Sequence, residues 1–191
     1  SKRIISAFFY FFLMEEMIDI LDSAGNFTGK ICSRTEIHQK GLWHRTVHIW
    51  AFDESGKILF QKRSLEKENH PGLLDTSCAG HIEASDSSRN AGVRELSEEL
   101  GIIKRKEDLE FLFESKHENV LCNGKYLDNE FYDVYRIILS KTDIQKLSPQ
   151  KGEVESFHWF SIQELEIALK NTPEKFVPHE RDFQFLLSLP Y

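Results

Sequence analysis

Three glutamates, Glu95, Glu98 and Glu99, are spaced so that their carboxylates could act together. At i, i+3 and i+4 of a helix, with about 100° of rotation per residue, they share one face. Like charges at this spacing destabilise an isolated helix by about 0.2–0.5 kcal/mol, so a nearby cation would relieve them. Arg94 is one such cation, and a divalent metal is a better one. Mg²⁺ takes oxygen ligands and is commonly held by carboxylates together with substrate phosphates.

The helix that must carry these glutamates is predicted from Asp86–Ser88 to about Leu100, with Gly101 at the usual C-cap position. Taken alone, an acidic helix face is more simply a solvated surface with salt bridges. The surrounding residues change this interpretation, because Gly80, Asp86 and the segment 94–102 are spaced as Gly-x5-Glu-x7-Arg-Glu-U-x-Glu-Glu-x-Gly-U, where U is a bulky aliphatic residue. Over this segment the chain closely resembles the Nudix family.

The resemblance implies a site for Mg²⁺ or Mn²⁺ whose ligands are Glu95, Glu98, Glu99 and the carbonyl of Gly80. The first glutamate of the motif is Asp86 in this chain, which is one methylene shorter. In the family this residue braces the loop before the helix, often against the arginine of the motif. Asp86 is therefore expected either to pair with Arg94 or to cap the helix.

A second resemblance extends from Ile18 to about Leu139. It is to the Nudix branch that includes isopentenyl-diphosphate isomerase, many of whose members are hydrolases of uncertain substrate. The segments that carry it are Arg34–His38, Gly41–Trp50, Gln61–Ser64, Lys67, Pro71–Gly72, Ala79–His81 and Asp128–Glu130. The resemblance implies that His38, His44 and His81 lie at the metal histidines of the isomerase, with His38 out of register by one residue. It also implies that Asp128 and Glu130 lie near the two acidic positions of that site.

Two departures from the isomerase pattern favour hydrolysis. The position of the isomerase's essential cysteine, directly before Gly-His, is Ala79 in this chain. Cys78 comes one residue too early, and on a strand its side chain would point to the other face. The isomerase also lacks the complete Arg-Glu-U-x-Glu-Glu segment, which this chain has.

Other basic and imidazole side chains near these segments are candidates for substrate binding. Arg63 and Lys67 would neutralise a diphosphate, although ordinary surface charge is the alternative. His44 and His81 could contact phosphate or metal, or be packed and hydrogen-bonded. For His38 and His48 the packed interpretation is favoured.

The remaining patterns predict an α+β protein with the Nudix fold, a mixed β-sheet sandwiched between helices. Thr46–Asp53 alternates in two apolar phases and should form a hairpin with Ile58–Arg63. Further elements are predicted as an exposed strand at 18–22, as strands at 109–114, 131–139 and 153–160, and as helices at 162–170 and 178–189. The segment 114–129, expected to be a loop, and the C-terminal helices are expected to determine specificity.

Composition limits the kinds of partner. The chain has 191 residues, 40% of them hydrophobic, and a net charge of −7 without a basic block, which argues against a sequence-independent nucleic-acid binder. The apolar run 4–14 is shorter than the roughly 20 residues of a membrane span. Residues 1–17 are interpreted as a leader or packed segment, and 18–191 as a single Nudix domain. Three widely spaced cysteines favour free thiols in a cytoplasmic protein.

The predicted activity is Mg²⁺- or Mn²⁺-assisted hydrolysis of a small molecule, a nucleoside diphosphate-type or other X-linked diphosphate. Glu98, Glu99 and Glu130 are the candidate catalytic residues, and either Glu99 or Glu130 could accept the proton of the attacking water. The alternatives are the isomerase reaction and a non-catalytic module that binds a nucleotide.

Overall fold

The computed structural model describes residues 15–190. Its strands are β1 (Met17–Leu21), β2 (Phe27–Ser33), β3 (His44–Asp53), β4 (Ile58–Arg63), β5 (Leu74–Asp75), β6 (Cys78–His81), β7 (Glu110–Leu121), β8 (Tyr126–Leu139) and β9 (Val154–Phe160). Its α-helices are α1 (Arg34–Lys40), α2 (Ser88–Glu99), α3 (Lys141–Lys146), α4 (Ile162–Asn171) and α5 (Glu180–Leu187). Most of the predicted N-terminal segment, residues 1–14, lies outside the described residues.

The sheet is mixed, as the sequence predicts. Strands β5, β4, β3, β8 and β7 lie side by side in that order, β6 also pairs with β3, and β9 also pairs with β4. Strand β3 runs parallel to β8, and the other pairings in the sheet are antiparallel. Strands β1 and β2 form a separate antiparallel hairpin.

The two apolar phases of β3 separate two cores. Val47, Ile49 and Ala51 pack with Leu96 and other apolar side chains of the core under α2. On the opposite face, Trp50 and Phe52 join the core that contains Ile162 and Leu165 of α4 and Leu186 of α5. The sheet is therefore sandwiched between helices, which confirms the predicted fold class. Among the described residues, no helix combines the length and hydropathy that crossing a bilayer requires.

Two parts of the chain differ from their predicted local structure. The strand predicted at Ile18 is present, but Ile18 is fully buried against Cys32 and Ile37 rather than exposed. The segment 114–129, expected as a loop, is most of the β7–β8 hairpin, which turns at residues 122–124. Alternating polar residues hide this hairpin from a pattern search, because both of its faces there carry polar side chains.

Candidate active site

Helix α2 places the three glutamates beside strand β6. Ser87 caps the helix by accepting a hydrogen bond from the amide of Asn90 at 3.3 Å. The close approach to β6 depends on Gly80, because a Cβ atom there would lie 2.0 Å from Oε1 of Glu95. Glu95 and Glu99 are buried, whereas Glu98 is largely exposed. On the glutamate face, the side chains of Glu95 and Glu99 therefore lie inside the molecule, whereas that of Glu98 reaches solvent.

The two buried carboxylates have few partners to balance their charge. Glu99 accepts hydrogen bonds from Nε2 of Gln61 at 3.1 Å and from the amide of Ala79 at 3.3 Å. Burial raises the pKa of Glu99 to about 8, and the charge of Glu95 adds to this. Burial likewise raises the pKa of Glu95 to about 7, against the opposing charge of Arg94. Three neighbouring carboxylates, two of them costly to ionise, suit a hard divalent cation.

Arg94 connects the helix to the end of β6. It donates to the carbonyl of His81 at 2.9 Å and pairs with Glu95 at 2.8 Å and with Glu98 at 3.3 Å. Its guanidinium also lies 3.8 Å from Glu83 in the loop before the helix. Arg94 thus connects α2 with the end of β6 and with the loop before the helix.

The predicted role of Asp86 needs correction. Its Oδ1 accepts hydrogen bonds from the side chain of Asn90 at 2.9 Å and from the amide of Ser87 at 2.8 Å. Neither the expected ion pair with Arg94 nor the capping role is present among the described contacts, because Ser87 caps the helix. The shorter aspartate instead binds within the first turn of its own helix, and Glu83 is the acidic residue of this loop nearest Arg94.

A second ligand-rich cluster is formed by three histidines and two acids. Ring nitrogens of His38, His44 and His81 all lie within 4.8 Å of one another, and so do ligand atoms of His44, Asp128 and Glu130. Nε2 of His38 is 3.0 Å from Nε2 of His81. His38 is buried, its Nδ1 lies 3.3 Å from the carbonyl oxygen of Leu127, and its ring adjoins the other two histidines. These elements are distant in sequence, and the parallel pairing of β3 with β8 sets His44 opposite Glu130.

Two atoms of this cluster are buried without a hydrogen-bond partner, Nε2 of His44 and Oδ1 of Asp128. Buried polar atoms are normally hydrogen-bonded, so these two atoms are available to bind a cation. Each also lies near a polar neighbour: Nε2 of His44 is 3.4 Å from Glu130, and Oδ1 of Asp128 is 3.3 Å from Nδ1 of His38. Burial lowers the pKa of His38 to about 4, and burial also holds the pKa of His81 well below its usual range. Both rings are therefore neutral at pH 7, the form that binds metal. The donor set fits a divalent transition metal.

Glu130 is the anchor of the cluster. It accepts a hydrogen bond from Thr46 at 3.1 Å and lies 3.4 Å from Nε2 of His44 and from Nε2 of His117. Burial acts to raise its pKa, but His44 and His117 hold the pKa of Glu130 well below its usual range. Burial acts to lower the pKa of both histidines, but Glu130 raises the pKa of His44, and Asp128 together with Glu130 raises the pKa of His117. Glu130 is thus ionised without any metal.

Residues of both clusters line one cavity of about 320 Å³. Gly80, Glu95, Glu98 and Glu99 contribute from one side, and His81, Asp128 and Glu130 from the other. The predicted substrate-binding residues Arg63 and Lys67 also line the cavity, but both are engaged. Arg63 pairs with Asp75 at 2.7 Å, and Lys67 pairs with Glu153. His44 does not line this cavity but lies beneath it, in contact with Glu130.

Sequence reasoning missed several residues of the cavity wall. Arg34 pairs with Glu16 at 3.3 Å, and both face the cavity. His117 lies opposite Glu130 in the β7–β8 hairpin, and His179 precedes α5. In the sequence, His117 and Asn119 are two residues apart, the spacing that places side chains on one face of a strand. Only the hairpin register shows that His117 lies opposite Glu130.

Strand β6 also places the cysteine and alanine as predicted. Cys78 pairs in register with Ile49 and is fully buried in the core under α2. Ala79 pairs with His48 and lines the cavity. The cavity wall at the isomerase's cysteine position therefore carries a methyl group in place of a thiol.

The chain was compared with family models, with curated proteins and with solved structures. A family model described as the NUDIX domain matches residues 42–180. Nudix hydrolase 3 of Arabidopsis thaliana is 38% identical over 170 residues, which is 88% of this chain but only 22% of that protein. An isopentenyl-diphosphate Delta-isomerase of Serratia proteamaculans is 31% identical over 164 residues, covering 85% of this chain and 86% of the isomerase. A crystal structure from Deinococcus radiodurans shares the fold, with a TM-score of 0.63 and 17% identity, and covers 90% of this chain and 97% of that one.

Proposed function

Since the chain belongs to the Nudix family, we propose that it hydrolyses a nucleoside diphosphate-type or other X-linked diphosphate with Mg²⁺ or Mn²⁺. The observation that carries this proposal is the glutamate face of α2. Glu95 and Glu99 are buried next to the glycine that lets the helix approach, and Glu98 shares their cavity. A sensor that only binds a nucleotide has no need of three mutually repelling carboxylates.

The residues of the cavity have different proposed roles, in metal binding, in orienting the glutamates and in binding phosphate. Glu95, Glu98, Glu99 and the Gly80 carbonyl would hold the hard cation, and the histidine–acid cluster offers a second site. When bound, a divalent metal neutralises the diphosphate and lowers the pKa of the attacking water. Arg94 keeps two of the glutamates oriented through its contacts at 2.8 and 3.3 Å. Arg63 and Lys67 lie on the cavity wall, where each could turn from its carboxylate to a phosphate.

Glu99 and Glu130 are both candidates for the general base. Glu130 is ionised in the metal-free protein, but it is committed to Thr46, His44 and His117. Glu99 has the higher proton affinity, since its pKa is raised to about 8, and a cation nearby would favour its ionised form. Separate Glu99→Gln and Glu130→Gln variants distinguish the two by their pH–rate profiles.

The direct test is a metal-dependent hydrolysis assay over nucleoside diphosphates and triphosphates, sugar nucleotides, coenzyme A and isoprenoid diphosphates. We expect turnover with Mg²⁺ or Mn²⁺ and a loss of about 10²–10³-fold in Glu98→Gln and Glu99→Gln, the range found when one stabilising group is removed. Glu107→Gln is the matched control, because Glu107 is exposed and lies outside this cavity. Absence of turnover on the whole panel, or full activity in either glutamine variant, would contradict the proposal.

The isomerase reaction is the second candidate, favoured by the histidine–acid cluster and by the 31% identical isomerase. Ala79 at the cavity wall speaks against it, because the thiol that would exchange a proton with substrate carbon is missing. A direct assay for dimethylallyl diphosphate formed from isopentenyl diphosphate decides between the two. Product formed without release of phosphate would favour the isomerase.

A further inference from the structure

A pair of histidines on the cavity wall is held by carboxylates that the proposed chemistry does not use. Nδ1 of His48 lies 3.3 Å from Asp182, which also accepts a 2.9 Å hydrogen bond from the indole of Trp50. Nε2 of His179 lies 2.6 Å from Asp75. The two rings meet edge to face at 4.9 Å, and both line the cavity.

This wall adjoins the glutamate face. His48 pairs in register with Ala79, whose amide donates to Glu99. The charge of Asp75 reaches Glu99 as well and adds to the rise in its pKa. A diphosphate held at the glutamates would therefore carry its attached group close to His48 and His179.

The carboxylates fix which nitrogen of each ring is free. When neutral His48 donates to Asp182 from Nδ1, its Nε2 is an acceptor. When neutral His179 donates to Asp75 from Nε2, its Nδ1 is an acceptor. Neither free nitrogen has a hydrogen-bond partner among the described residues. For His48, burial acts to lower the pKa, but the hydrogen bond to Asp182 raises it, and in the protonated form the same Nε2 donates. A hydroxyl group matches both states, because it donates and accepts, whereas a hydrocarbon matches neither.

The wall offers little to an apolar or flat group. Among the cavity-lining residues that the structure describes, the aliphatic side chains larger than alanine are Leu121, Val177 and Pro178. The ring of Tyr126 is stacked on His38 at 4.0 Å, so one of its faces is already covered. A buried polar wall rejects a substrate that leaves its groups unpaired.

Resting on the proposed diphosphate hydrolysis, we propose that His48 and His179 form a specificity subsite for a hydroxyl-bearing group, a sugar or polyol, attached to the diphosphate. Asp182 of α5 and Asp75 of β5 are its positioning residues. The C-terminal helix thereby contributes to substrate choice through a residue that is itself fully buried.

Two five-carbon substrates test this directly: ribose 5-diphosphate, whose sugar ring carries hydroxyl groups, and isopentenyl diphosphate, whose branched hydrocarbon chain carries none. We expect kcat/KM to be at least about tenfold higher for the ribose compound, a difference of about 1.4 kcal/mol. His48→Asn keeps a donor near the Nδ1 position and removes the free nitrogen, and His179→Gln does the same for a donor near Nε2. Each variant should reduce the preference below threefold, whereas His158→Gln, on an exposed residue outside the cavity, should preserve it.

Binding of the methylene-bridged analogues, measured by calorimetry, separates this proposal from the hydrolysis itself. Tighter binding of the ribose analogue would sustain the subsite even if neither substrate is turned over, because the hydrolysis itself is judged on the whole panel described above. Equal or tighter binding of the isopentenyl compound would overturn the subsite, whatever is hydrolysed. A preference that persists in both folded histidine variants, with melting temperatures like that of the wild type, would overturn the assignment to these residues.

Discussion

At the scale of single residues, glycine and glutamate depend on each other at the site. Glu95 is buried because α2 lies close to β6, and the helix can lie there because residue 80 has no side chain. The backbone of Gly80 has no unusual conformation, so the reason for glycine is space. The motif spacing in the sequence predicts a glycine at this position. A Cβ atom there would lie 2.0 Å from Oε1 of Glu95, which explains why glycine is needed.

Replacing Gly80 with alanine should displace the Glu95 carboxylate. Because the obstructing atoms belong to a side chain that can rotate, we expect the protein to fold while Mg²⁺-dependent activity falls at least about tenfold, or 1.4 kcal/mol in the barrier. Activity assays and a thermal melt measure the two effects. Ser97→Ala is the control, since Ser97 is exposed on the same helix. Unchanged activity in a folded Gly80→Ala protein would show that Glu95 is dispensable.

At the scale of elements, one arginine connects the helix with the strand. Arg94 contacts the carbonyl that ends β6 and two glutamates of α2, whereas Asp86 contacts only the first turn. A lysine has one compact ammonium and cannot reproduce the planar fork.

We therefore expect Arg94→Lys to lower kcat/KM by about tenfold or more, and Asp86→Asn to change it by less than about threefold, the latter equivalent to under 1 kcal/mol. Steady-state kinetics on the two variants makes the comparison, with circular dichroism to verify that α2 is retained. A larger loss of kcat/KM in Asp86→Asn than in Arg94→Lys would show that Asp86 stabilises the site more than Arg94 does, and would contradict the contacts described above.

At the scale of the whole molecule, the buried charges link stability to pH and metal. The folded protein raises the pKa of Glu99 to about 8 and that of Glu95 to about 7, above the roughly 4.3 of an unfolded glutamate. As pH rises from about 4 to 8, the unfolded chain releases these protons first, so the metal-free folded state loses stability. His44 and His117, whose pKa values are also raised, act in the same direction.

Mg²⁺ should therefore stabilise the protein more at pH 8 than at pH 6.5. In this range His38 and His81 are already neutral, because their pKa values are lowered, and they do not oppose the trend. Thermal melts with Mg²⁺ and with a chelator, at both pH values, measure the difference. The same series on Glu99→Gln, which has no proton to release at this position, should show a smaller dependence on pH. A metal-induced shift that is equal or larger at pH 6.5 would refute this account.

The sequence by itself determined the glutamate face and the mixed sheet, because these depend on helical periodicity and strand alternation, and the resemblance to the Nudix motif added the glycine beside that face. It also showed that Cys78 and Ala79 face opposite sides, since a strand alternates. Only the tertiary structure decided that His44 lies opposite Glu130, that Asp86 does not pair with Arg94, and that residues 114–129 belong to a hairpin. The first and last of these outcomes depend on the pairing of β3 with β8 and of β7 with β8. Residues as distant as His48 and Asp182 meet through packing, which local sequence patterns do not encode.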